Sequence, residues 1–103
     1  MARVEYVFPL GERARKRHFH ETSRGTVVAL VVQLEVLLDG RWAPVVRYDS
    51  VHGFSHIDRF SRSGESCKER LFFSFAEALT AADEDIPENW ELYRTRFLDG
   101  DWP

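Results

Sequence analysis

Residues 47 to 60, "RYDSVHGFSHIDRF", crowd titratable groups together. Arg47, Asp49, His52, His56, Asp58 and Arg59 fall within thirteen positions of a chain that has four histidines. Imidazole titrates near neutrality, so His52 and His56 are candidates for general base and general acid. Asp49 or Asp58 could orient an imidazole. Arg47 could hold a phosphate through two parallel hydrogen bonds and offset the charge developing on it, with Tyr48 beside it as a further substrate contact. Together these parts suit metal-free RNA cleavage, in which a ribose 2′-hydroxyl attacks phosphorus and a 5′-oxygen leaves.

A second group lies upstream. "ERARKRH", residues 12 to 18, holds four basic residues in the five positions from Arg13 to Arg17. Such a run suits phosphate contact by counterion release, and equally suits a charged edge strand protected against aggregation. His18 and His20 share one strand face and, with Arg17, join the candidate substrate-binding residues. A different use of the imidazoles is also open. His18, His20, His56 and Asp58 could ligate a divalent metal, since imidazole with carboxylate suits zinc, iron or manganese. Their spacing matches no finger or HExxH pattern. In a third use the same groups form a hydrogen-bonded structural network. The protein would then be a non-catalytic interaction module, with strand edges pairing with a partner and the C-terminal "FLDGDWP" docking Trp102.

The elements that must position these residues are legible from hydrophobic period. A chain of 103 residues is expected to form a single domain, 1–103, with one core. Residues 1–73 read as a strand-rich sheet. "VEYVF" ends at the turn signal Pro9-Leu10-Gly11, "RHFHE" alternates, and "TVVALVVQLEVLL" places Val28, Leu30, Val32, Leu34, Val36 and Leu38 on one parity. Asp39-Gly40 predicts a two-residue type I′ hairpin that folds "RWAPVVRYDS" back antiparallel. In that register Val32 opposes Arg47 and Leu30 opposes Asp49, so both charged residues project from the apolar face. A three-residue loop with a bulge would reverse the assignment. Pro44 cannot donate to a ladder and belongs on a free edge or at a bulge. "HIDRFS" and "CKERLFF" form a further hairpin around Ser63-Gly64.

The last third changes period. Ser74-Phe75-Ala76-Glu77 is a capping box, and Phe75, Leu79, Ala82, Ile86, Trp90, Tyr93 and Phe97 make one apolar stripe. Pro87 predicts either a kink near Asp83–Pro87 or two successive helices, so residues 74–99 read as a C-terminal helix or kinked helix pair, and 100–103 as a tail. The acidic run Asp83, Glu84, Asp85, Glu88 and Glu91 reads as a solvated face. The fold class is therefore α+β: an antiparallel meander sheet of about five to six strands packed against a C-terminal helical segment.

Composition excludes several classes. The longest unbroken apolar run, Val27 to Val32, is far short of the ~20 residues a membrane span needs. Cys67 is the one cysteine, so no intrachain disulfide can form, and nothing beside it in sequence activates its thiol. With no secretory apolar segment after "MARVEYVFPL", the expected compartment is the cytoplasm. No Gly-rich phosphate loop, GxSxG, CxxC or P-loop occurs, so no cofactor other than the divalent metal of the alternative reading is indicated. No helix-turn-helix is visible, which argues against sequence-specific DNA binding. Residues 1–62 carry ten Lys/Arg against seven Asp/Glu, whereas residues 63–103 carry four against ten, and this asymmetry allows an anionic partner on the N-terminal side.

"RHFHETSRGTVVALVVQLEVLLDGRWAPVVRYDSVHGFSHIDRF" and "SFAEALTAADEDIPENWELYRTRFL", with their H-F-H-E and R-Y-D-x-x-H-G-F-x-H-x-D patterns, resemble a family of small bacterial and archaeal proteins classed as a domain of unknown function. That resemblance implies organisation and no mechanism. The central segment is also similar to toxins of the TumE type, with Arg47, Tyr48, Asp49, His52 and His56 on the matching positions. The second resemblance implies a ribonuclease-like toxin, with RNA as substrate and a cognate antitoxin or a second copy of the chain as partner.

Overall fold

The thirteen-residue alternation does form a strand, and the short turn signals around it produce hairpins on both sides. A computed structural model describes residues 1–100 and 102. Six strands, β1 (Ala2–Gly11), β2 (Ala14–Ser23), β3 (Thr26–Leu38), β4 (Arg41–Asp49), β5 (His56–Phe60) and β6 (Ser66–Arg70), precede one helix, α1 (Phe75–Asp99). The sheet order follows the chain, and every neighbouring pair is antiparallel. This is the expected α+β meander. No helix among the described residues is long and apolar enough to cross a membrane.

The β3–β4 hairpin decides which way the site faces. Asp39 and Gly40 have φ of 52° and 77°, the paired positive angles of the type I′ turn. Leu38 pairs with Arg41 and the register holds as far as Glu35 with Pro44. There it shifts, and beyond the shift Leu34 pairs with Val46, Gln33 with Arg47, and Val31 with Asp49. Val45 is the extra residue of a bulge. Pro44 sits where the ladder is already broken, so its missing N–H costs nothing. The expectation that Arg47 and Asp49 share the face of Leu30 and Val32 is therefore corrected: the bulge inverts parity within β4, and the charged residues leave the core face. The reversal comes from mid-strand, not from the turn.

A smaller correction applies to the first hairpin. β1 continues through Pro9 to Gly11, with a register shift between them, and the chain reverses at Glu12-Arg13, where Arg13 has φ of 60°. A methyl group at Gly11 would lie 2.6 Å from Cη2 of Trp90, so only glycine lets the helix's indole approach the strand this closely.

α1 begins at a full capping box. The Ser74 hydroxyl accepts from the Glu77 amide, and the Glu77 carboxylate accepts from the Ser74 amide. Its buried residues Ala78, Ala82, Ile86 and Phe97 lie on Leu30, Val32, Leu34, Val36, Val46, Tyr48 and Ile57 of the sheet. Fully burying each large aliphatic or aromatic side chain stabilises by about 1.5–3 kcal/mol before chain entropy is counted. The helix crosses β2, β3 and β4, and it leaves the other sheet face uncovered. Trp102 is not free to dock a partner, as the tail reading supposed. It is buried against its own chain, donating from Nε1 to the Val45 carbonyl at 3.2 Å beside the Tyr93 ring. Asp101 and Pro103 lie outside the described residues.

Pro87 lies inside α1, and the helix runs on through it, so the reading of two successive helices is corrected. An interior proline removes the hydrogen bond to the carbonyl four residues back, here that of Asp83, and costs about 3 kcal/mol. Pro87→Ala should therefore raise unfolding stability by about 2 kcal/mol, after allowing for the greater entropy of its unfolded chain. Chemical denaturation measures this directly; an unchanged or lower midpoint would contradict it.

Candidate functional site on the open sheet face

Parity sorts the candidate residues onto two faces. On β2, Lys16, His18 and His20 pair with Leu34, Val32 and Leu30 and so lie on the helix side. On β4 and β5, Arg47 pairs with Asp58 and Asp49 with His56, on the open side. β6 adds Lys68 opposite Asp58 and Arg70 opposite His56. The four-ligand set of His18, His20, His56 and Asp58 therefore cannot converge, because a sheet stands between its halves.

On the open side, His56, Asp49 and Asp58 are 0%, 5% and 6% exposed. His56 Nε2 lies 2.7 Å from Asp49 Oδ1 and 3.5 Å from Asp58 Oδ2. Lys68 Nζ stands 3.1 Å from the same Nε2 and 3.5 Å from Asp58 Oδ1. The other ring nitrogen faces the Phe54 carbonyl at 3.4 Å. His52, in the loop after β4, is exposed, and its ring stacks on His56 with centroids 5.5 Å apart. So the expected pair of imidazoles does meet, with the acids beside it. Of the two, His52 alone is open to solvent.

A polar chain continues from this cluster across the sheet. Arg47 Nε donates to Gln33 Oε1 at 2.6 Å, and Gln33 Nε2 donates to Glu35 Oε2 at 2.6 Å. Arg15 and Arg17 hold the two oxygens of Glu35 at 2.6 and 3.0 Å. Burial would raise the Glu35 pKa, but hydrogen bonds from Arg15, Arg17 and Gln33 outweigh it and hold the carboxyl below its ordinary value of 4.5. Arg17, Gln33, Glu35, Arg47 and Asp49 line an open depression of about 440 Å³. The basic run is thus divided: Arg15 and Arg17 serve this face, and Lys16 serves the other.

The helix side holds a separate, structural network. Tyr48, expected beside a substrate, is buried and donates to Asp85 Oδ2 at 2.6 Å, while Tyr93 and Asn89 donate to Asp85 Oδ1 at 2.6 and 2.7 Å. Burial, then the bond to Asp85, pushes both phenols upward. His18 is sealed beneath the Tyr6 ring, stacked at 4.6 Å, and its Nε2 lies 2.7 Å from His20 Nδ1. Its Nδ1 is 3.3 Å from Asp83 Oδ1, close enough for attraction but out of line for a hydrogen bond. Asp83 also takes Lys16 Nζ at 3.1 Å. Burial pulls His18 below the ordinary imidazole value, with Asp83 opposing only in part. Glu84, Glu88 and Glu91 are exposed, as the solvated-face reading expects, but Asp83 and Asp85 of the same run are tied to the sheet, Asp83 with its side chain still 40% exposed. The four-residue steps Asp85, Asn89, Tyr93 were the signal for this network. Lys68, Gln33 and Glu35 are further site members that sequence reasoning missed; only parity with Asp58 and Arg47 could have indicated them.

Fold and site define a small α+β domain with a basic, imidazole-bearing sheet face. The chain belongs to the family described as "Domain of unknown function (DUF7718)", whose model matches residues 1–102. No curated protein and no solved structure matches it.

Stability should carry the signature of His18. Below its ordinary value of 6.5 the unfolded chain takes up a proton that the buried ring refuses, so the unfolded state binds more protons and stability falls as pH drops. A second loss follows below 4.5, where the unfolded chain protonates a carboxyl that Glu35 keeps ionised in the fold. Denaturation from about pH 7.5 to about pH 5 should show the first loss in the wild type and a flatter profile in His18→Phe. Equal slopes in the two proteins would contradict the assignment.

Proposed function

We propose that the protein is an RNA-directed, ribonuclease-like protein of toxin–antitoxin character, with the open sheet face as its working surface. The observation that carries this reading is the Asp49–His56 contact of 2.7 Å beneath the exposed, stacked ring of His52, next to a depression bordered by Arg17 and Arg47. Arginines attract and hold a phosphodiester backbone, and their stacking on aromatic rings leaves a planar, base-tolerant surface. Arg47 lies over Phe60, and Arg70 over Phe54 and Phe72.

In this mechanism His52 takes the proton from a ribose 2′-hydroxyl. The freed oxygen bonds to phosphorus, the bond to the 5′-oxygen breaks, and the Lys68 ammonium supplies the proton that oxygen needs. The products are a 2′,3′-cyclic phosphate and a 5′-hydroxyl end. Buried as it is, His56 acts through His52 as a positioning residue, held by Asp49. Labelled single-stranded RNA incubated with the wild type should yield the cyclic phosphate, and His52→Ala should slow cleavage by about 10²-fold or more. Cleavage that survives His52→Ala and Lys68→Ala, or a wild type that neither cleaves nor binds RNA, would contradict the reading.

A non-catalytic interaction module is favoured by a different observation. β1 is an edge strand whose Val4, Tyr6 and Phe8 stay exposed beyond the reach of α1. A long apolar edge invites pairing with a second copy. Light scattering should then report a dimer that Phe8→Glu weakens; a monomer at every concentration would count against it.

A further inference from the structure

His56 Nε2 has two neighbours that it cannot satisfy together. Asp49 Oδ1 at 2.7 Å demands a donor, and the Lys68 ammonium at 3.1 Å demands an acceptor. A ring nitrogen is one or the other, so in either tautomer one close, buried contact is not a hydrogen bond. Asp58 is scarcely better served, since His56 Nε2 and Lys68 Nζ both stand 3.5 Å from its oxygens, beyond good hydrogen-bond length. Two carboxylates buried to this depth need compensating charge. Beside Asp58 stands only the tip of Lys68, whose side chain is 42% exposed and able to swing outward, and Asp49 Oδ1 has, besides the imidazole, the neutral Val51 amide at 3.0 Å.

One occupant resolves every mismatch. The ligand atoms of Asp49, His56 and Asp58 all lie within 4.8 Å of one another. The separations of 2.7 and 3.5 Å from Nε2 bracket the roughly 3.3 Å between neighbouring ligands of a tetrahedral zinc-type centre. We infer that Asp49, His56 and Asp58 form a binding site for a divalent first-row transition-metal ion, whose entry displaces the ammonium of Lys68. A neutral imidazole lone pair then meets a cation in place of a proton, and the two carboxylates neutralise a double positive charge. One imidazole with two carboxylates is a nitrogen–oxygen set suited to zinc, manganese or iron(II). Three protein ligands leave a coordination position open to water or to a phosphate oxygen. The displaced Lys68 is free to turn towards the same face. This site stands whether or not RNA is cleaved, because it rests on the burial and contacts of Asp49, His56, Asp58 and Lys68 and on no step of the cleavage.

The test is metal binding without any nucleic acid. Chelator-treated full-length protein is titrated with Zn²⁺ by calorimetry, and with Co²⁺ for the visible absorption that reports ligand number. The wild type should take up one equivalent. Asp58→Asn and His56→Gln should weaken binding by about 10–100-fold. Lys68→Gln should tighten it by about tenfold, since the competing charge is removed. That gain is a direction that general damage to the fold would not give, and Lys68 lies on exposed β6, where substitution leaves the core intact. His18→Gln and His20→Gln, on the other face, should bind as the wild type does. No uptake by the wild type, uptake undiminished in Asp58→Asn, or weaker binding by Lys68→Gln would each overturn the site.

Discussion

One extra residue in β4 sets the chemistry of both sheet faces. Without the bulge at Val45, the parity fixed by the Asp39-Gly40 turn would drive Arg47 and Asp49 under the helix, among Leu30 and Val32. Two charges in that interior would cost several kcal/mol each unless fully paired. With the bulge, Val45 and Val46 both enter the core, Tyr48 turns to the helix, and Arg47 and Asp49 turn to the open side. β5 and β6 inherit that choice through their pairing, so His56, Asp58, Lys68 and Arg70 follow Asp49 and Arg47. Pro44 secures the break, since it cannot rejoin the ladder, and the Val45 carbonyl is taken up by Trp102.

The sheet thereby separates two kinds of polarity. Beneath the helix edge, Asp83 and Asp85 pin α1 to β2 and β4 through Lys16 and Tyr48. These contacts tie helix to sheet. On the open face, cations outnumber their acids along the Arg15–Arg17–Glu35–Gln33–Arg47 chain, while the neighbouring Asp49 rests on an imidazole and the Val51 amide, and Asp58 on the same imidazole and Lys68. An uncovered face keeps such a cluster only when its members hold one another. Here they do so incompletely, which is what ligand sites tend to look like.

Much of the fold was legible in the chain. Long period-two alternation in β3, the Asp39-Gly40 and Ser63-Gly64 turns and the Ser74 capping box all predicted what is found, because each depends on contacts within a few residues. The grouping of His52 and His56 with Asp49 and Asp58 was legible too, from their crowding in one hairpin. Which face they occupy was not. Pro44 signalled a bulge, but the side of the sheet that gains from it depends on where α1 lands, a long-range fact. The same limit hid the roles of Asp83 and Asp85: acids beside acids on a helix read as solvated until the partners Lys16 and Tyr48 are brought over from distant strands. His18 and His20 looked like companions of His56 because strand parity cannot be compared across an uncounted bulge.

On the proposed reading the open face, and not the helix face, meets the anionic partner. The four histidines report this separately through their imidazole carbon–proton resonances. A short single-stranded RNA titrated into labelled protein is predicted to shift His52 strongly and His56 beneath it, while His18 and His20 hold still. Shifts confined to His18 and His20, or none at any of the four at saturating RNA, would contradict the account.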